Sequence, residues 1–163
     1  MTSAFVGIGS NLGDRRRNGL KSLAMMDQIP DCRVLGRSEW YLTRPVGVEG
    51  QEWYVNGVAH LSTGLAARDL LHHLLSIEEK LGRTRPAHWA ARTIDLDILL
   101  FGDEVVDTPD LKIPHPLMAH RRFVLVPLAQ LVPGLRHPVL DLTVAELLQR
   151  LPEDGQEVVL IEE

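Results

Sequence analysis

Apolar and polar positions fall into blocks whose period changes along the chain. Residues 3–11 (SAFVGIGSN) read as a strand that ends in glycines. From Leu12 to Met26, Leu20, Leu23 and Ala24 fit a helix that closes at Ile29-Pro30-Asp31. Residues 32–43 predict a second strand, 44–52 a Pro/Gly-rich loop and 53–63 a third strand. The clearest helix covers 65–82, where Leu70, Leu71, Leu74, Leu75, Ile77 and Leu81 form one stripe and Gly82 is the C-cap. A basic loop follows, then a strand at 92–102 (RTIDLDILLFG), a hairpin and turn to residue 116, and a segment at 117–133 that is helical up to Pro127 and kinked there. A short helix from Val144 to Leu151 and a strand at 157–163 complete the chain. With no repeat, low-complexity tract or linker, residues 1–163 are expected to form a single domain. The order β-α-β-β-α-β predicts an α+β class with a ferredoxin-like core. In that core the helices pack on an antiparallel sheet, here followed by a C-terminal helical and strand extension. Such a core hosts many functions and selects none of them.

One block departs from its own pattern. Within 92–102, Ile94, Leu96, Ile98, Leu99, Leu100 and Phe101 are apolar, yet Asp95 and Asp97 interrupt them at a spacing of two. Strand side chains alternate, so both carboxylates share a face. Two like charges on an apolar strand need compensation. Arginine partners or turn caps are one explanation; a hard divalent cation is the more economical one. Mg²⁺ takes one or two carboxylates, keeps waters and binds substrate phosphates. Arg92 lies three residues upstream, and Arg83 and Arg85 are close in sequence. Carboxylates, metal and arginines together are the equipment of phosphoryl-type transfer.

Composition narrows this further. The net charge of −5 argues against a generic nucleic-acid binder. Arginine outnumbers lysine and clusters at 15–17, 83–92 and 121–122, as suits phosphate or carboxylate oxygens, although a GC-rich genome would give the same excess. The lone Cys32 reads as a small core residue. No signal-peptide pattern opens the sequence and no apolar run is long enough to span a bilayer, which predicts a cytoplasmic protein without membrane partners.

Other candidates are weaker. His115 sits between Pro114 and Pro116, on a backbone the prolines hold rigid, and a surface-loop role is equally compatible. No histidine pair has zinc-ligand spacing. The glycines at 7, 9 and 13 are one residue too widely spaced for a dinucleotide fingerprint, and residues 13–22 fail as a P-loop. Asn11 and the backbone of Gly9-Ser10 stand where a strand meets a helix, with Ser10 the expected cap. Among Trp53, Tyr54 and Asn56, an aromatic would stack on a planar ligand and an amide would read its edge, while alternation assigns at least one aromatic to the core. Glu78 and Glu79 default to solvated helix charge.

These features converge on a known pattern. GSNLGD at 9–14, Y-x-T-x-P-x-G at 41–47, Y-x-N at 54–56, IE-x-x-LGR-x-R at 77–85, RTIDLDILLFG at 92–102 and IPHP-x-x-x-x-R-x-FVL-x-PL at 113–128 resemble the 6-hydroxymethyl-7,8-dihydropterin pyrophosphokinase family nearly end to end. The resemblance implies transfer of pyrophosphate from ATP to the hydroxymethyl group of the pterin in tetrahydrofolate biosynthesis, by an enzyme that is a monomer or, alternatively, a dimer. It implies two Mg²⁺ on Asp95 and Asp97, with Arg83 and Arg92 completing the catalytic set. ATP would be held by Leu71, Glu78, Arg83, Arg85, Trp89, Arg92, Ile98, Lys112, His115 and Arg121. The pterin would be held by Thr43, Arg44, Val46, Tyr54, Asn56, Trp89, Asp95 and Phe123, with Trp89 closing over the site. Residues 90–91 are Ala-Ala where members often carry Gly-Pro.

Two other classes stay in view. A ferredoxin-like nucleotidyltransferase would place Gly-Ser shortly before its acids, whereas Gly9-Ser10 lies far upstream of Asp95. An RNA-binding module would show a basic face and exposed sheet aromatics.

Overall fold

A computed structural model describes residues 1–45, 52–82, 93–152 and 155–162. Its main sheet runs β5 (Asp95–Phe101), β1 (Thr2–Ser10), β4 (Tyr54–Thr63), β3 (Tyr41–Thr43), β8 (Val158–Leu160), with β2 (Cys32–Arg37) also pairing β4. All of these pairings are antiparallel. Helices α1 (Arg15–Met26) and α2 (Ala67–Leu81) follow β1 and β4, giving the ferredoxin-like core. A hairpin, β6 (Val106–Thr108) and β7 (Leu111–Ile113), leads to a 3-10 turn at Met118–His120, then α3 (Arg122–Leu131) and α4 (Val144–Arg150). No helix among the described residues is long and apolar enough to cross a membrane.

The sheet separates two cores. Val6, Ile8, Leu96 and Ile98 pack with Leu70, Leu74 and Ile77 of α2 on one face. Phe5, Val58, Leu99 and Leu100 pack with Leu125 and Leu128 of α3 on the other. A bulge in the β1–β5 ladder reconciles consecutive Leu99 and Leu100 with one core: Phe5 pairs Leu100 and Val6 pairs Ile98, which leaves Leu99 between them. Below the bulge Asp95, Asp97 and Leu99 share a face, so α3 and α4 cover only the far end of the acids' side of the sheet. Leu75, expected in the buried stripe of α2, is exposed.

Elsewhere the expected elements shift. The strand expected at 32–43 divides. Ser38 Oγ accepts from the Val58 N–H at 2.9 Å and donates to the Glu39 carbonyl at 2.7 Å, so a side chain takes a ladder position. Trp40 then turns inward to 2% exposure, against Gly19 and Gly57. The helix expected from residue 117 starts at Arg122 and continues through Pro127 to Leu131. Proline removes a single N–H from the helix, while Val124, Leu125, Pro127 and Leu128 are all buried. Asp14, not Ser10, caps α1, accepting from the Arg17 N–H at 3.2 Å. Gly82 closes α2 as expected, donating to the Glu78 carbonyl at 2.7 Å. Cys32 is half-buried, and burial raises its thiol.

On an open helix face, Gly19→Ala would add about 1 kcal/mol of helix propensity. Here the new Cβ would lie 2.6 Å from the Trp40 ring. Gly19→Ala is therefore expected to destabilise by about 1–3 kcal/mol, read from urea denaturation; unchanged or increased stability would refute the packing argument.

Burial lowers the titration of His60, stacked 4.5 Å from Phe5, and of His137, which is 6% exposed. The unfolded chain protonates these histidines near pH 6.5 while the folded chain resists. Their contribution to stability is complete above that pH and is lost as pH falls through the lower folded value. Tm is expected to drop between about pH 7.5 and about pH 5.5, measured by scanning calorimetry.

Candidate active site

The site is built on the sheet face that α1 and α2 leave uncovered. In register, Asp95 faces Gly9 and Asp97 faces Gly7 on β1. Gly9 in turn faces Asn56 on β4, which pairs with Tyr41, and the next pair on the same face is Thr43 and Tyr54. Glycines beside both acids keep β1 low. A Cβ on Gly9 would reach 2.8 Å from Asn56 Oδ1 and 3.5 Å from the Tyr54 ring. Asn56 is buried, and its amide nitrogen donates to Thr43 Oγ1, which directs its carbonyl oxygen over the Gly9 backbone.

This floor underlies a cavity of about 750 Å³. The connection from β7 to α3 and the first turn of α3 supply the opposite wall: His115, His120, Arg121 and Phe123, with the Arg121 guanidinium 5.3 Å from the Phe123 ring centre. His115 is fixed through its backbone, donating to the Leu99 carbonyl at 2.9 Å. Its Nδ1 accepts from the Leu117 N–H at 3.2 Å, so the neutral ring carries its proton on Nε2. Burial holds His115 below the ordinary histidine range; Asp97 pulls it up and Arg121 pushes it further down. The imidazole is thus neutral around pH 7 and offers a donor at Nε2.

A smaller cleft of about 220 Å³ shares Asp97 and His115 with the cavity and adds Leu71, Leu96, Ile98, Pro109, Leu111 and Lys112. The expected residues therefore divide between two spaces. Thr43, Arg44, Tyr54, Asn56, Asp95, Asp97, His115, Arg121 and Phe123 line the cavity. Leu71, Ile98 and Lys112 line the cleft. Glu78 lines neither of them: its carboxylate accepts from the Leu96 N–H at 2.7 Å, on the edge of β5 that β1 leaves open. The Arg44 guanidinium is paired with Glu157 at 2.9 Å, and the Lys112 ammonium with Asp107 at 2.6 Å. Val46, Arg83, Arg85, Trp89 and Arg92 lie outside the described residues.

The two carboxylates fit the hard divalent cation that the sequence suggests. Asp97 is exposed and Asp95 half-buried, so both oxygen groups reach the cavity beside an unobstructed glycine floor. Among the described residues no three His, Cys, Asp or Glu side chains converge. That donor set suits a hard cation that keeps waters and takes its remaining oxygens from a phosphate, and it does not suit zinc.

Sequence reasoning singled out Asn11 but missed the bonds that hold this framework. Asn11 Nδ2 donates to the Glu52 carbonyl at 3.5 Å, and Arg15 donates to the Trp53 carbonyl at 2.6 Å. Asn18 Nδ2 lies 2.9 Å from the Leu12 carbonyl, 3.2 Å from Ser10 Oγ and 3.3 Å from the Thr93 carbonyl. The start of α1 thereby fixes the backbone entering both β4 and β5. Ser10 serves as an acceptor here instead of the expected cap.

Comparison with known proteins gives this site a family. The model of the 7,8-dihydro-6-hydroxymethylpterin-pyrophosphokinase (HPPK) family matches residues 5–133. The chain belongs to that family. A Pseudomonas aeruginosa relative named 2-amino-4-hydroxy-6-hydroxymethyldihydropteridine pyrophosphokinase is 44% identical over 153 residues, 94% of each chain. A Methylorubrum extorquens relative of the same name is 38% identical over 159 residues, 98% of this chain and 99% of its own. Among solved structures, Plasmodium falciparum HPPK-DHPS crystallised with pteroate superposes with a TM-score of 0.73 at 16% identity, over 92% of this chain and 42% of that one. The chain thus spans less than half of that longer protein, and the likeness supports the fold. As an HPPK family member the protein is a pyrophosphokinase, and the motif blocks quoted from its sequence fall largely inside the matched span.

Every bond the Asn18 side chain makes among the described residues is a donation from its amide nitrogen. Asn18→Ala is expected to cost about 1–3 kcal/mol in denaturant unfolding. Asn18→Asp, similar in shape but unable to donate, is expected to cost at least as much; wild-type stability in the aspartate variant would refute this role.

Proposed function

We propose that this enzyme transfers a pyrophosphoryl group from ATP to 6-hydroxymethyl-7,8-dihydropterin in folate biosynthesis, within one domain, without a covalent intermediate. The observation that carries this reading is the row Asp95–Gly9–Asn56: paired carboxylates and an oriented amide meet over a glycine floor. The pterin lies between Tyr54 and Phe123. Asn56, its nitrogen committed to Thr43, presents its oxygen to N–H groups of the heterocycle. Arg44 and Val46, with Trp89 above, complete this end by resemblance. ATP extends past His115 and Arg121, with the base toward Leu71 and Ile98 and with Glu78 and Lys112 nearby.

The pterin hydroxyl oxygen attacks the β-phosphorus, the bond from that phosphorus to the α,β-bridging oxygen breaks, AMP leaves, and the hydroxyl proton is released to solvent. Such transfer depends on in-line placement and charge neutralisation more than on a nucleophilic side chain. Arg121 and the Nε2–H of His115 meet the phosphate oxygens, and Arg83, Arg85 and Arg92 join them in this proposal. Two Mg²⁺ held by Asp95 and Asp97 would neutralise the phosphate chain when bound.

Asp95→Ala and Asp97→Ala are each expected to lower AMP formation by about 100-fold or more while far-UV circular dichroism stays unchanged. The assay supplies ATP, the pterin and Mg²⁺, and the wild type is expected to lose activity when the metal is chelated. Wild-type-like AMP formation in either variant would overturn the assignment.

A further inference from the structure

The family match ends at residue 133, yet the cavity has lining residues beyond it: Gly155 and Gln156. Their position follows from β8, which adds to the free edge of β3 and so brings Gly155 and Gln156 to the cavity wall. On one side, the Arg44 N–H donates to the Glu157 carbonyl at 3.1 Å and the Arg44 guanidinium pairs with the Glu157 carboxylate. On the other side, Gln156 Oε1 accepts from the Arg122 N–H at 2.9 Å and Gln156 Nε2 donates to the His120 carbonyl at 3.2 Å.

The second pair of bonds matters because of where α3 begins. A helix start leaves unsatisfied N–H groups, ordinarily met by an N-cap side chain. The residue in that position is Arg121, whose side chain makes no capping bond and instead lies over Phe123. Gln156, 34 residues away, supplies the acceptor in its place. The same helix start carries Arg121 and Phe123 into the cavity.

We propose that Gln156 is a positioning residue for the reaction: it caps α3 from the C-terminal segment and so sets the wall formed by Arg121 and Phe123. The C-terminal segment is then a substrate-site wall, not a passive extension. This deepens the reading under Proposed function and rests on Phe123 and Arg121 facing the substrates.

The test is steady-state kinetics of full-length Q156A and Q156M, with pterin and ATP varied in turn. Methionine keeps the length of glutamine and loses both bonds. Losing a cap of about 1 kcal/mol at the wall raises KM for the pterin about fivefold in both variants, with kcat within about twofold of wild type. A wild-type KM in Q156A overturns the proposal. So does a wild-type KM in Q156M, since it would reduce the residue to packing. An equal loss of kcat and stability without a KM change also overturns it, because that is the signature of a purely structural role. Wild-type enzyme that forms no AMP from this substrate pair would instead refute the underlying reading, and the two failures are thus distinct.

Discussion

Everything in the site depends on a single register, the one that sets Gly9 of β1 between Asp95 and Asn56. The three residues lie on three adjacent strands and share a face. A shift of one residue in either ladder would turn the acids into the α2 core or move Asn56 away from them. The register is held by burial on the opposite face, where Val6, Ile8, Leu96 and Ile98 alternate with glycines and aspartates that could not fill the α2 core in their place. The apolar core thus fixes the polar site indirectly: it selects the pairing, and the pairing brings the acids and the amide together. Glycine at 7 and 9 is the second half of the constraint. A side chain at position 9 would run into Asn56 and the Tyr54 ring, and one at position 7 would come up against Leu99.

Register alone does not hold the strand ends. β5 lies at the sheet edge, and Glu78 supplies the acceptor that no neighbouring strand provides for Leu96. Asn18 fixes the approach to β5 at Thr93, and Arg15 fixes the approach to β4 at Trp53. All three are polar side chains used on backbone groups close to the site, which leaves Asp95 and Asp97 on a strand whose surroundings are already hydrogen-bonded. Groups positioned in this way lose less entropy when a ligand arrives.

The readable part of this molecule was its local periodicity. The two-residue spacing of Asp95 and Asp97 placed both on one face, and both line the cavity. The stripe in α2 and the split βαββαβ order were equally visible, since each depends on neighbours in sequence. The bulge at Leu99 was hidden, because adjacent leucines read the same whether they face one core or two. Trp40 looked like a strand residue because its partners, Gly19 and Gly57, carry no side chain to register a pattern. Asn18 and Gln156 make contacts 75 and 34 residues away, and no local spacing announces such a bond. Glu78 was read first as helix surface charge and, by resemblance, as a nucleotide contact. Its carboxylate is turned to the Leu96 backbone, a role that depends on β5 being an edge strand.

Charge completes the argument. The protein carries a net −5 and its site presents two carboxylates, yet the co-substrate proposed for it is a polyanion. Two unit charges about 4 Å apart near a protein surface interact by about 4 kcal/mol, so acids facing phosphates without a mediator would repel the ligand by an amount comparable to ordinary ligand affinity. Among the described residues the neighbouring groups do not offset this unaided: His115 is held neutral, and Arg121 is a single cation already drawn over Phe123. A divalent ion held by the carboxylates would reverse the sign of this interaction. In the proposed reaction the acids would then discriminate as well as bind. A phosphate chain arriving with its metal would be attracted and one arriving bare refused, so that on this reading the apparent defect in an apolar strand would couple nucleotide entry to a cation.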